Sequence, residues 1–435
     1  MKEVEKILGI GDELKVTKID EEIVDKQKYK NIYLESKKNK VRCPKCNNFT
    51  KSIHDKLKPM KIKGLKIFEI PTNLVVTKRR FICHKCNRKF TEELNINEKK
   101  SNISNDLKKK ILKDLRDYNK SLKYIANEHN VNDDTVREIL LNAMVGYPAQ
   151  IKNLPRVISM DETKLDTKEG KYGYVLNDPI HKKVLDILPN RKKEYLIQYF
   201  TYCENRHSVE VVISDMYEPY LLVTQIMFPK AIFVVDRFHY IRYILQAIDN
   251  IRIRLQKSYG EKSKEYKLLK NKKNVGLIRK YSNDVDWWTY TKRYKNKHYV
   301  EVLRWDIRKQ ILDINQDLEN GYWLKEEFLD IVNHATYEDC KIQFLNWIDL
   351  CIESGIPEFI EAAKTINNWL KYICNSFIDE RYSNGFTEGM NNKIKVIKRV
   401  GFGYKNFNFF RLRLLYILNG IISGRKKQKY EKIKK

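Results

Sequence analysis

The chain reads as a multidomain α/β protein in which a zinc ribbon and a helix-turn-helix precede a mixed sheet interrupted by an all-helical insertion. Three observations predict this class. Two Cys-x-x-Cys pairs lie near the N-terminus, a run of short capped helical patterns follows, and beyond a Pro-punctuated linker several apolar runs each close on an aspartate.

The totals fit such an organisation. A chain of 435 residues has room for roughly two to four domains and a sizeable core. Lys and Arg outnumber Asp and Glu by 85 to 56, and the resulting +29 is spread along the length, so the expected partner is a polyanion. The opening "MKEVEKILGIGDELKV" carries charges where a secretory leader needs an apolar core. No run of about 18 apolar residues occurs, so a cytoplasmic protein without a membrane span is expected. Eight cysteines in that compartment read as metal ligands or buried thiols rather than disulfides.

In order along the chain, residues 1–98 form a β-rich region with the ribbon at about 41–92. Cys43 and Cys46 in "CPKC" and Cys83 and Cys86 in "CHKC" each present two sulfurs from one tight turn, and two such knuckles complete a closed tetrahedral zinc site. The intervening "KIFEIPTNLVVTKRRFIC" is β-branched and alternating, as a ribbon hairpin requires. His54 and His84 are spare ligand candidates. Cys203, Cys340, Cys351 and Cys374 are scattered and read as core.

Residues 101–148 show apolar spacing for three short helices, with Ser121 capping the second, His129 and Asn130 in the turn, and Asn132 or Asp133 capping the third. In a helix-turn-helix the last helix offers Asp134, Thr135, Arg137, Glu138 and Asn142 to a major groove.

From residue 155 the pattern is α/β. "RVISMDE" reads as a buried strand ending at Asp161, and "KYGYVLND" and "KKVLDILP" as two more. "KKEYLIQYFTYC" reads as a helix, "VEVVISD" as a strand ending at Asp215, and "AIFVVD" as a strand ending at Asp236. Ligands gather at the carboxyl ends of strands in α/β sheets, so three acids there are informative. Asp236 and His239, in "DRFHY", can be metal ligands, a general-base pair or a polar clamp. Residues 240–380 read as the helical insertion and contain all six tryptophans. In residues 381–422 the helical pattern places Glu388, Asn391 or Asn392, Lys395 and Arg399 along one face. Residues 423–435 form a basic tail.

Three antiparallel strands, a helix, then two parallel strands with crossover helices is the ribonuclease H order, with the first strand central and the fourth beside it. Asp161 and Asp215 then stand on neighbouring strands about 4.8 Å apart and can share a cation, while Asp236 lies a strand further out, about 10 Å from Asp161. Glu388 supplies a third carboxylate. Such hard ligands suit Mg2+ or Mn2+, and two ions about 3.5 to 4 Å apart support in-line phosphoryl transfer, with water nicking DNA and a 3′-hydroxyl joining it.

The combination "CPKC", "KRRFICHKC", "FTEE", "SMDE", "VVISDMYEPY", "FPKAIFVVDRFHY" and "EGMNNKIKVIKRVGFGYKNFNFFRLR" resembles the bacterial insertion-sequence transposases of the ISL-three family over almost the whole chain. The resemblance implies a zinc-binding N-terminal region, a helix-turn-helix, and a ribonuclease H-like DDE domain with a helical insertion. It matches Asp161, Asp215 and Glu388 to the catalytic acids. Asp236 and His239 match an acid-x-x-histidine motif that supports them, with a catalytic place for Asp236 as the alternative. The DNA contacts expected are Thr135, Arg137, Asn142, Asn391, Asn392, Lys395, Lys398 and Arg399. The function implied is binding of the element's terminal inverted repeats, as a homodimer on double-stranded DNA in the nucleoid, with magnesium-dependent cleavage and strand transfer. The alternative is a catalytically inactive DNA-binding regulator.

Overall fold

The computed structural model describes Glu5 and residues 13–98, 101–148, 150–295, 298–401 and 406–420; the expected basic tail at 423–435 lies outside these. Among the described residues no helix is long and apolar enough to cross a membrane. The chain divides into two compact units, one running to Tyr147 and resuming at Val396, the other spanning Pro148–Lys395.

In the first unit, β1 (Leu14–Val24) and β2 (Gln27–Ser36) form an antiparallel hairpin. Asp25 and Lys26 both have positive φ (47° and 65°) in its two-residue turn, the geometry that matches the twist of paired strands. The strands β3 (Val41–Arg42), β4 (Phe49–Thr50), β5 (Ile53–Lys56), β6 (Met60–Lys63), β7 (Thr72–Val76), β8 (Arg79–Cys83) and β9 (Arg88–Thr91) follow. One sheet has the order β1-β2-β7-β6 and encloses a core of Val16, Ile32, Leu34, Ile62 and Val76. The run expected to be a single ribbon hairpin is divided: β7 joins this sheet, where Val76 is fully buried, while β8 pairs with β5 and β9 in the ribbon.

The β3–β4 and β8–β9 pairs carry the two cysteine knuckles. The residue after each second cysteine, Asn47 (φ 57°) and Asn87 (φ 55°), is left-handed, a conformation asparagine tolerates. All four sulfurs lie within 4.8 Å of one another, with Cys43 Sγ 3.6 Å from Cys86 Sγ and Cys46 Sγ 3.5 Å from Cys83 Sγ. Four ligands at about 2.3 Å from a tetrahedral zinc stand about 3.8 Å apart, so this set fits the ion. Burial pushes the Cys43 thiol up, but the backbone N–H groups of Cys46 and Lys45 and the Cys86 and Cys46 thiols outweigh it and draw the group down to about 6, while burial and the three neighbouring thiols push Cys86 up to about 12, so a metal would displace protons from this set. His84 bonds to Ser52 Oγ (2.8 Å) rather than to the cluster.

Three short helices complete this part: α1 (Asn105–Asp114), α2 (Leu122–Glu128) and α3 (Asp133–Ala143). Ser104, Ser121 and Asn132 accept from Leu107, Tyr124 and Thr135 N–H at their N-termini, and left-handed Asn130 (φ 52°) makes the turn between α2 and α3. Asp114, Glu128 and His129 come close enough to hold a cation, and the ammonium of Lys120 sits there, 3.2 Å from Asp114 and 3.1 Å from Glu128.

The second unit is built on β10 (Val157–Thr167), β11 (Gly170–Asp178), β12 (Lys183–Leu188), α4 (Lys193–Thr201), β13 (Val211–Ser214), α5 (Glu218–Met227), β14 (Ile232–Val235) and α6 (Arg237–Ser258). The sheet order is β12-β11-β10-β13-β14, antiparallel among the first three strands and parallel among the last three. β10 does not end at Asp161 but continues to Thr167, because β11 pairs with it beyond that point. Then come α7 (Lys264–Lys270), α8 (Lys272–Arg279), β15 (Tyr290–Lys295), β16 (His298–Leu303), α9 (Arg304–Leu312), α10 (Gln316–His334), α11 (Cys340–Glu353), α12 (Pro357–Cys374) and α13 (Gly385–Val400). The insertion is therefore not all helical. Aromatic and β-branched residues in "YTKRY" and "HYVEV" favour the β15–β16 hairpin over helix. One core joins Ile158, Met160 and Tyr174 of the sheet to Ile244, Phe328, Trp347 and Phe359 of the insertion; the four scattered cysteines are buried.

The last helix, α14 (Phe407–Leu418), expected to close the sheet domain, instead packs with the first unit. Its Tyr416 hydroxyl donates to the Leu112 carbonyl (2.9 Å), and the Arg137 guanidinium lies over the Phe409 ring. The Arg413 guanidinium donates to the Lys120 carbonyl and that of Arg116 lies over the Tyr416 ring, so several contacts hold the helix to this part.

Two outcomes follow. At Gly173, opposite Thr163, a Cβ would stand 2.3 Å from Leu165 Cδ1 and 2.6 Å from the Leu188 carbonyl oxygen. Gly173→Ala should therefore lower stability by about 1–3 kcal/mol, and an unchanged urea midpoint would contradict this close packing. Metal analysis of purified protein should find one zinc per chain, lost in Cys83→Ser together with the protease resistance of the N-terminal region.

Candidate active site

Strand alternation puts the acids of three adjacent strands on one face. Ser159 pairs with Ile213 and Ser214 with Val235, so Asp161, Asp215 and Asp236 stand side by side across β10, β13 and the end of β14. The same face carries the small apolar cluster of Val211, Ile213 and Val234, with Val157 and Ile232 packed against it. The acids begin where that cluster stops.

Asp236 holds the N-cap position of α6 but makes no capping bond. Its buried carboxylate is engaged elsewhere. Oδ1 accepts from Asn384 N–H (2.8 Å), and Oδ2 lies 3.3 Å from His239 Nδ1. The same Nδ1 is 2.9 Å from Asp215 Oδ1, so the imidazole bridges the two acids. Burial pulls the His239 pKa down, but the hydrogen bonds and charges of Asp215 and Asp236 outweigh it and raise the group to about 10. It is an imidazolium at neutral pH.

Asp161 is in the opposite situation. Burial, then the charge of Asp215, push its carboxyl up to about 7 against the opposing pull of the Glu162 N–H (2.6 Å). A divalent cation shared by the two acids would reverse that repulsion. Asp161 Oδ2 accepts from Asn391 Nδ2 (2.6 Å), which also reaches the Glu162 carbonyl (3.2 Å).

The helix α13 closes the face at three points. Besides Asn384 N–H just before it and Asn391 within it, the fully buried Thr387 hydroxyl is 2.9 Å from Ser159 Oγ and accepts from Asn177 Nδ2 (3.0 Å). Residues 384, 387 and 391 follow helical spacing, so the neighbouring stripe of Glu388, Asn392 and Lys395 is presented to an open cavity of about 480 Å³. Asp161, Asp215, Asp236 and His239 line the same cavity, as do the cations Lys164 and Arg242. Asn391, expected on the DNA-facing stripe, is buried and holds Asp161. A Cβ at Gly389 would meet nothing within 4 Å.

Sequence reasoning missed Asn384, Thr387 and the Glu162–Arg191 pair. Arg191 pairs with Glu162, beside Asp161, and lies over the rings of Tyr172 (4.8 Å) and Tyr217 (5.0 Å). The three- and four-residue spacing of Asn384, Thr387 and Asn391 was a readable signal for the first two. Among the described residues, the ligand-type groups drawn within 4.8 Å are the four thiols and the Lys120-filled cluster, and the cavity acids are more widely spread than these. Of the other expected DNA contacts, Arg137 and Asn142 are exposed on α3, Thr135 is tied to its cap Asn132, and Arg399 is exposed on the last turn of α13 beside half-buried Lys398.

Residues 158–414, more than half of the chain, match a family of DDE transposases of ISL3 type, described as transposase. Residues 39–86 match the zinc-finger of transposases IS204/IS1001/IS1096/IS1165. The chain is 24% identical over 390 residues to the transposase for insertion sequence element IS1001 of Bordetella parapertussis, covering 88% of this chain and 90% of that relative. It is also 30% identical over 122 residues to an ATP-dependent protease of Lactococcus lactis subsp. lactis, but this covers 28% of the chain and 37% of the relative. That shorter match leaves out most of both proteins. The full-length relative and the two family matches, which take in the cysteine knuckles as well as the acid-bearing sheet, agree that the chain belongs to the ISL3 family of transposases.

Proposed function

We propose that this transposase binds the terminal inverted repeats of its own element as a homodimer, then cleaves and joins DNA strands with Asp161, Asp215 and Glu388 as the catalytic acids. The observation that carries the reading is the cavity that these three residues line together. The strand order β12-β11-β10-β13-β14, with Asp215 and Asp236 just past the carboxyl ends of β13 and β14 and Asp161 beside them within β10, supports a ribonuclease H-like catalytic core. The capped three-helix arrangement of α1–α3 supports a helix-turn-helix whose exposed Arg137 and Asn142 meet the groove.

Asp161, Asp215 and Glu388 would hold magnesium, whose bound ions would activate the attacking oxygen and stabilise the leaving one. The rest is done by the protein. Asn391 fixes one oxygen of Asp161. His239, charged, engages Oδ1 of Asp215 and leaves its other oxygen for a ligand. Asp236, with one oxygen on the Asn384 N–H and the other beside His239, positions both rather than coordinating. Lys164, Arg242 and Lys395 supply positive charge for the phosphates of the bound strand.

Asp215→Asn removes a charge from the cation site and should abolish nicking and strand transfer on a labelled element end while leaving its gel shift intact. Binding without any nicking by the unmodified protein would favour the inactive-regulator reading instead. Asp236→Asn should retain activity, lowered roughly 10- to 100-fold as for loss of a partner that orients a ligand; a loss as complete as that of Asp215→Asn would make Asp236 a ligand. Arg137→Ala should weaken end binding but spare metal-dependent nicking of nonspecific DNA, and equal loss of both would contradict the division of labour.

A further inference from the structure

The base of the β15–β16 hairpin brings two tryptophans together. Trp305 N–H donates to the Trp287 carbonyl and Arg304 N–H to the Thr289 carbonyl, each at 3.2 Å, so Trp288 before β15 and Trp305 at the start of α9 become neighbours. Their rings are parallel within 2°, with centroids 6.3 Å apart. The buried guanidinium of Arg308 lies 4.0 Å from the Trp305 ring and 4.5 Å from that of Trp287, which holds this arrangement from the protein side.

This is not a core arrangement. Trp347, on α11, is fully buried and its indole N–H donates to the Leu324 carbonyl. Trp288 is 73% exposed and Trp305 42%. Tyr290, at the start of β15, extends the exposed aromatic surface. A flat ring of this size left in water forgoes a large burial gain, which is regained when something flat lies on it. The surrounding charge selects what that is. Residues 284–310 contain Lys or Arg at 292, 293, 295, 297, 304, 308 and 309 against acids at 284, 286, 301 and 306, a net excess of cations, with Asp286 Oδ1 accepting from the Trp288 N–H (3.1 Å). Aromatic faces set among cations stack unpaired bases while the cations hold their phosphates.

We propose that Trp288, backed by Trp305 and Arg308, is a stacking platform for an unpaired nucleobase near a DNA end. The proposal rests on the reading of the chain as a DNA-cleaving enzyme, because strand cleavage is what frees bases from their partners at such an end.

The test uses the full chain with two DNA probes, a blunt duplex and the same duplex carrying a short single-stranded overhang that contains 2-aminopurine. The wild-type protein should prefer the overhang probe and quench its fluorophore. Trp288→Ala, which alters an exposed side chain, should abolish the quenching and weaken overhang binding roughly 10- to 100-fold without changing blunt-duplex binding, and Trp288→Phe should recover much of the preference. Wild-type quenching in Trp288→Ala, or an equal loss on both probes, overturns the platform. So does a Trp288→Ala protein that loses self-association in sedimentation while keeping its overhang affinity, since the face would then belong to a second copy. A wild-type protein that binds the blunt duplex but ignores the overhang sinks the platform alone, whereas one that binds neither probe takes the DNA-enzyme reading down with it.

Discussion

The hydrogen bond from Asn384 N–H to the buried Asp236 carboxylate is the contact on which the geometry of the cavity depends. It joins residues 148 apart in sequence, and it fixes where the chain, returning from the long insertion, starts the helix that carries Glu388. A hydrogen bond to a buried charged group contributes about 1.5–3 kcal/mol. Losing it would also leave a carboxylate in a low-dielectric site without its donor, which costs more than the bond itself. Thr387 and Asn391 repeat the attachment one and two turns later, so a single helical stripe docks α13 and the adjacent stripe is left to face the cavity.

The same acid explains why His239 is where it is. Asp236 ends a buried parallel strand, and α6 begins immediately after it, so a residue three positions on lies one turn into the helix and returns over the sheet end. Its imidazole then stands between Asp236 and Asp215. Positive charge at that point offsets the repulsion of two adjacent carboxylates, whereas Asp161, one strand inward, has an amide as its side-chain partner, and burial and then the charge of Asp215 raise its proton affinity. The strand register thus decides which acids the imidazole reaches and which is held by an amide instead.

The long insertion is not an appendage to this arrangement. Its helices share one apolar core with the sheet, from Tyr174 and Phe200 through Ile248 to Phe328 and Trp347, and Asn375 donates to the Phe233 carbonyl (2.7 Å) just after α12. Departure and return of the chain are both tied to β14, so the insertion can be long without loosening the position of α13.

The sequence by itself determined the local chemistry. Cysteine spacing defined the two knuckles, Ser121 and Asn132 marked the second and third short helices, and apolar runs gave the five strands of the central sheet, three of them with their aspartates. Each of these signals is carried by residues close together in the chain. It did not determine partnerships between distant segments. That β7 leaves the ribbon for another sheet, that "YTKRYKNKHYVEV" folds back as a hairpin, that α14 packs on α3, and that Asn391 turns inward to Asp161 all depend on which surface is available to bury a given side chain. Helical spacing put Glu388 with Asn391 or Asn392 along one face, but only the packed sheet, by taking Thr387 and Asn391 into its buried hydrogen bonds, separated Asn391 from the stripe that lines the cavity.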